Sequence, residues 1–115
     1  MLEYYLNFLS LQFHFKNMEV EEVVSGEKDE RDVKVFTIST CGWCKKVKDL
    51  LKSLDVEYEY VDIDQIEGEE KKRIREELKE YNSKMSCPTV VIDEGDKVII
   101  GFKEDEIKEA VGCDD

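Results

Sequence analysis

The chain has 115 residues, 29 acidic against 17 basic, and a formal net charge of −12. That balance argues against nucleic acid or an anionic membrane surface as a partner, and no run approaches the about 18 apolar residues of a membrane-spanning helix. Length allows one domain, and setting aside an unusual N-terminal stretch leaves roughly 80 residues, near the lower limit for a core without staples.

Residues 1–17, MLEYYLNFLSLQFHFKN, are apolar and aromatic. Leu2, Tyr5, Leu6, Leu9 and Phe13 fit a helical stripe, while Leu9, Leu11, Phe13 and Phe15 also alternate like a strand. Without a basic leader or a small-residue cleavage site, a signal peptide is not expected. Three readings stay open: an added element covering an edge or face, an oligomerisation segment, or upstream sequence before a start at Met18. His14, the only histidine, is read as a packing or surface residue.

Residues 19–32 turn sharply charged around Gly26 and read as a short strand or linker followed by a solvated turn. The run 33–38 reads as a buried strand. Residues 42–54 carry Val47, Leu50, Leu51 and Leu54 at the spacing of one buried helical face. In 56–63 the alternation of Val56, Tyr58 and Tyr60 with Glu57 and Glu59 predicts a strand with one face in water. A second helix is predicted over 66–82, with Ile74, Leu78 and Tyr81 as its stripe and pairs such as Glu69–Arg73 on a solvated face. Strands at 89–92 and 97–100 flank the hairpin turn 93–96. A last helix over 104–111 stops at Gly112. The expected domains are an N-terminal extension, 1–32, and a folded domain, 33–115.

The four cysteines do not space like a secreted disulfide scaffold. Cys41 and Cys44 form a CxxC, Cys87 precedes the only proline, and Cys113 lies near the C-terminus. That pattern indicates redox chemistry or metal binding in a reducing compartment, so a cytoplasmic location is expected. A helix opening at Cys41 aims backbone N–H groups and the positive end of its dipole at that sulfur, favouring thiolate over thiol. Cys44, one turn on, is placed to attack any mixed disulfide that Cys41 forms. Trp43 reads as an exposed platform beside the attacking sulfur. Lys45, Lys46 and Lys48 either add local positive charge or simply solvate the helix.

The predicted order β-α-β-α-β-β-α matches the thioredoxin fold, an α/β architecture with a four-stranded mixed sheet and helices on both faces. Over about 33–111 the chain resembles a glutaredoxin, or the glutaredoxin-like redoxin that serves ribonucleotide reductase. Four motifs carry the resemblance: Cys41-Gly42-Trp43-Cys44 with Lys45-Lys46, Tyr60-Val61-Asp62-Ile63-Asp64, Ser86-Cys87-Pro88-Thr89, and Gly101-Phe102. It implies a dithiol thiol–disulfide oxidoreductase with Cys41 as nucleophile and Cys44 as resolving thiol, acting on disulfide-containing proteins, ribonucleotide reductase among the candidates. It also implies a cis bond before Pro88 and substrate contacts from Trp43, Cys87, Pro88, Gly101 and Phe102.

Three departures bear on glutathione. Ser86-Cys87 stands where glutaredoxins carry Thr-Val, Phe102 and Lys103 follow Gly101 where they carry Gly-Gly, and Ile38-Ser39-Thr40 lacks their upstream lysine. No resident cofactor and no strict glutathione dependence are therefore expected, and a thioredoxin-reductase-type or other protein donor becomes the expected reductant. The first strand also offers Cys44 no buried aspartate of the thioredoxin kind. Cys87 remains open among a small buried side chain, a partner in an alternative disulfide with Cys41, and a metal or iron–sulfur ligand with Cys41 and Cys44. The last of these would make the protein a carrier.

Overall fold

The computed structural model describes residues 21–112. The apolar segment 1–17 with His14, the start at Met18, and Cys113 lie outside the described residues. Ten elements follow in order: β1 (Glu22–Val24), β2 (Val33–Thr37), α1 (Gly42–Ser53), β3 (Tyr58–Asp62), a 3-10 turn (Ile63–Gln65), α2 (Gly68–Tyr81), β4 (Thr89–Ile92), a second 3-10 turn (Asp93–Gly95), β5 (Lys97–Ile100) and α3 (Glu104–Ala110).

The strands form one sheet in the order β1-β3-β2-β4-β5. β2 lies at its centre, parallel to β3 and antiparallel to β4. The parallel step is bridged by α1, as a parallel pair requires, and the last two strands make an antiparallel hairpin. This is the thioredoxin-like architecture, with five strands in place of the four expected.

The added strand comes from the N-terminal extension. β1 runs antiparallel to β3, with Glu22 opposite Tyr60 and Val24 opposite Tyr58, and it caps an edge that would otherwise offer unpaired backbone groups. The chain then stays tied down. Lys28 N–H donates to Asp55 O, and Glu57 N–H donates to Lys28 O, each at 2.9 Å. Gly26 is required here, because a Cβ would lie 2.6 Å from the carbonyl carbon of Val56. The short strand offered for 19–32 is thus present at Glu22–Val24, as a fifth strand of the sheet.

Side chains alternate across the sheet to fill two cores. Val33, Val35, Val90, Ile92 and Ile99 pack with Val47 and Leu51 of α1 and Ile107 of α3. Phe36, Val61 and Val91 pack on the other face with Ile74 and Leu78 of α2. Each fully buried aliphatic side chain contributes about 1.5–3 kcal/mol, so the two layers together set the position of the strand ends. Element boundaries shift by a few residues from the sequence reading: β3 starts at Tyr58 because Val56 bridges Lys28, and α2 starts at Gly68, with Ile66 buried ahead of it.

The polar face of β3 does not meet open water, contrary to its alternation pattern. Glu59 is half-buried, and burial raises its carboxyl above the ordinary range despite the opposing charge of Lys34. Lys34 reaches across from β2 and donates to both carboxylate oxygens of Glu77 at 3.0 Å. It also pairs with Glu21, whose side chain is 8% exposed, while Arg73 stands 3.9 Å from the other Glu21 oxygen. This network ties β1, β2 and α2 together. Lys34→Ala leaves Glu21 and Glu77 short of a cation, and its expected cost is about 2–3 kcal/mol, below the full value for a wholly buried pair. Urea unfolding followed by circular dichroism measures it.

Candidate active site

β2 ends at buried Thr37 and delivers the chain to Cys41, the N-cap of α1. Cys41 Sγ accepts the Cys44 N–H at 3.4 Å. The Cys41 thiol is held below its ordinary value, first by hydrogen bonding with the Cys44 thiol, against a burial penalty, and with lesser help from the backbone N–H groups of Cys44 and Trp43. The position at a helix N-terminus adds about 0.3–1 kcal/mol in favour of the anion.

Cys44 is 1% exposed, and burial pushes its thiol up to about 12, with a smaller push from the neighbouring Cys41 and Cys87 and an opposing one from a backbone hydrogen bond at Ile38. Cys87 is pushed up to about 11, first by burial and then by the charges of Cys41, Asp62 and Asp64. Cys41, Cys44 and Cys87 are each free. Of the three, Cys41 is the thiol most ready to ionise, and it stands beside two thiols that stay protonated near neutral pH.

The residues named from sequence as substrate contacts come together in space. Trp43, Cys87, Pro88, Gly101 and Phe102 line one shallow groove of about 270 Å³. Trp43 is 58% exposed, lies 6.1 Å from Phe102 in a stacked arrangement, and has Lys46 Nζ 4.7 Å from its ring centroid. The Cys87–Pro88 bond is cis. Gly101, at φ 90 in the left-handed region, turns the chain out of β5 while its N–H donates to Pro88 O at 2.8 Å.

Sequence reasoning missed the clamp behind Cys41. Asp64, just past β3, accepts from Ser39 N–H at 2.8 Å and from the Ser39 hydroxyl at 2.5 Å, and Gln65 Nε2 donates to both Ser39 Oγ and Asp64 at 3.1 Å. Ser39 stands two residues before Cys41, so the clamp fixes the loop that carries the sulfur. The available signal was the register: Thr37 pairs with Asp62 across the two parallel strands, which sets residues 39 and 64 opposite each other. Lys45, Lys46 and Lys48 of α1 each engage another neighbour. Lys45 pairs with Asp49 at 2.8 Å, Lys46 lies over Trp43, and Lys48 pairs with Asp62 at 3.2 Å over the Tyr60 ring. β2 gives Cys44 no buried carboxylate, since its buried side chains are Val33, Val35, Phe36 and Thr37.

Among the described residues no group of three or more His, Cys, Asp or Glu is arranged to hold a metal ion. Among the described residues no helix is long and apolar enough to cross a membrane.

Comparison with known proteins agrees with this geometry. The glutaredoxin family model matches residues 33–97. This chain belongs to the glutaredoxin family. A glutaredoxin-like 8.6 kDa protein of the Clostridium pasteurianum rubredoxin operon is 30% identical over 79 residues, spanning 69% of this chain and 96% of that protein. Among solved structures, a glutaredoxin from Methanosarcina mazei is 42% identical with a TM-score of 0.74, covering 82% of this chain and 89% of its own. The methanoredoxin of Methanosarcina acetivorans is also 42% identical, with a TM-score of 0.70 and coverage of 73% and 87%. As a member of this family the chain is a redox protein of the thioredoxin superfamily.

Two outcomes follow for this glutaredoxin. When the reduced protein meets iodoacetamide near neutral pH, Cys41 alkylates first, and Cys44 and Cys87 stay unmodified; peptide mass mapping reads the order. Asp64→Asn removes a carboxylate that the Ser39 hydroxyl and N–H hold down at about 2, below its ordinary 3.8. A depressed carboxyl stabilises the fold fully above its ordinary value and loses that contribution as pH falls through its folded value. The urea midpoints of wild type and Asp64→Asn therefore differ most above about pH 5 and converge toward about pH 2.

Proposed function

We propose that this glutaredoxin is a dithiol protein-disulfide reductase whose turnover does not strictly require glutathione. The observation that carries the reading is the opposed protonation of Cys41 and Cys44, a partly exposed, favoured thiolate one helical turn from a buried thiol held near 12. Only one of the pair begins the reaction, and the other is kept in reserve.

In the first step Cys41 thiolate attacks one sulfur of a substrate disulfide. A Cys41–substrate disulfide forms, the substrate disulfide breaks, and the departing thiolate takes a proton from water. Cys44 then gives up its proton to solvent and attacks Cys41 Sγ. The second substrate thiol leaves, and Cys41–Cys44 becomes a disulfide. Two electrons have moved from the pair to the substrate, and a two-electron dithiol donor restores them.

Substrate binding falls to the groove of Trp43, Cys87, Pro88, Gly101 and Phe102 beside the attacking sulfur. Its walls are aromatic and aliphatic, with a stacked Trp43–Phe102 pair, which suits the apolar flank of a protein disulfide. A glutathione tripeptide carries two carboxylates and calls for polar partners in fixed places. The absence of the upstream lysine, the Thr-Val pair and the Gly-Gly turn supports a protein donor.

Turnover of insulin disulfides tests this, with glutathione plus its reductase compared against a thioredoxin-reductase-type donor. Cys41→Ser falls to background, and Cys44→Ser accumulates a Cys41–substrate mixed disulfide that mass spectrometry detects. The protein donor sustains turnover better than glutathione. Activity that survives Cys41→Ser, or turnover sustained best by glutathione, would refute the corresponding half of the reading.

A further inference from the structure

The strongest departure from the protein's overall charge lies on the flank of the site. A groove of about 400 Å³ runs between the outer face of α2 and the loop that climbs to Cys87, lined by Gly68, Lys71, Lys72, Arg75, Lys79 and Met85 together with one carboxylate, Glu76. In a chain of net charge −12 with 17 basic residues, four cations share this one wall. Several cations elsewhere are matched: Arg31 with Asp93, Lys34 with Glu21 and Glu77, Lys45 with Asp49, Lys48 with Asp62, and Lys108 with Glu104. Among the described residues Lys71, Lys72, Arg75 and Lys79 make no ion pair.

Their spacing sharpens the point. Lys71, Arg75 and Lys79 recur every fourth residue, which stacks like charges on one helical face and works against the helix. Carboxylates of α2 are available but turned to other neighbours, Glu77 to Lys34 and Glu70 to the hollow beside Glu22 and Tyr60. The groove also shares a core with the substrate groove. Met85, at its floor, and Cys87, on the wall of the substrate groove, pack against the same core of Phe36, Val61 and Ile74. From Lys71 to Lys79 the helix rises about 12 Å, a length covered by roughly four residues of extended chain.

Building on the disulfide-reductase reading, we infer that this basic groove receives an acidic stretch of about four residues from the polypeptide whose disulfide Cys41 attacks. Cationic grooves of this kind raise the encounter rate of an anionic partner by about tenfold or more at low salt and lose that advantage as salt rises. A charge-matched strap on α2 also selects among protein disulfides in a way that the small apolar groove at Trp43 does not.

Single-turnover reduction of two synthetic peptides by the pre-reduced full chain tests this. Both contain the same internal disulfide, one carrying an added Glu-Asp-Glu-Asp tail and the other Ser-Gly-Ser-Gly. The readout is the ratio of their second-order rates. The expected ratio in the wild type is about ten, falling toward one as salt rises from about 0.02 M to about 0.5 M. In the combined variant Lys72→Ser, Arg75→Ser and Lys79→Ser the ratio falls close to one. A control losing three cations elsewhere, Lys52→Ser, Lys97→Ser and Lys108→Ser, retains it. A wild-type ratio near one, a ratio indifferent to salt, or equal loss in the control overturns the inference. Wild-type failure to reduce even the Ser-Gly peptide would count against the reductase reading itself, so the two failures are told apart.

Discussion

The arrangement of β2 between β3 and β4 governs what this protein can do. β2 and β3 run parallel and finish at the same end of the sheet, with Thr37 opposite Asp62. β4 runs the other way and so begins there, with Thr89 opposite Phe36, and β5 comes back to end beside it, with Ile100 opposite Thr89. Four strand ends therefore converge, carrying Cys41, Asp64, Cys87-Pro88 and Gly101-Phe102 within one small region. None of these segments is close to another in sequence beyond its own motif. The two cores, above and below the sheet, hold that convergence.

Local chemistry then differentiates three sulfurs that sit in one neighbourhood. The difference comes from solvent access and from who donates to whom. Cys41 receives N–H groups at a helix start and keeps one side toward solvent. Cys44, a turn further on, is sealed by the sheet. Cys87 is shielded and faces the carboxylates of Asp62 and Asp64, so it is held back from competing as a nucleophile. The same carboxylates serve the opposite purpose toward the backbone, since Asp64 fastens the Ser39 loop and Asp62 takes the Thr37 hydroxyl and Lys48.

Much of this was legible from residue order. A CxxC between an apolar run and a helical stripe, a lone proline after a cysteine, and Gly101-Phe102 after a strand named the groove before its geometry was known. What escaped notice depends on pairings between distant segments. Residues 19–32 read as a short strand or linker, but the strand's place in the sheet, antiparallel to β3 on an open edge, depends on that distant pairing. Glu59 alternates as a solvent residue should, yet Lys34 and Glu77 close over it. Ser39 and Asp64 are ordinary loop residues until the parallel register brings them together. Lys45, Lys46 and Lys48 form a cationic run in sequence, but each is engaged by a different neighbour.

Trp43 is the only tryptophan in the chain. It stands between the two reactive cysteines, stacked on Phe102 and covered by Lys46. Indole emission from this protein thus originates wholly at its reacting edge, with no background from the core. The molecule carries an intrinsic optical probe of its own redox state and of whatever docks against it, readable without label or coupled enzyme.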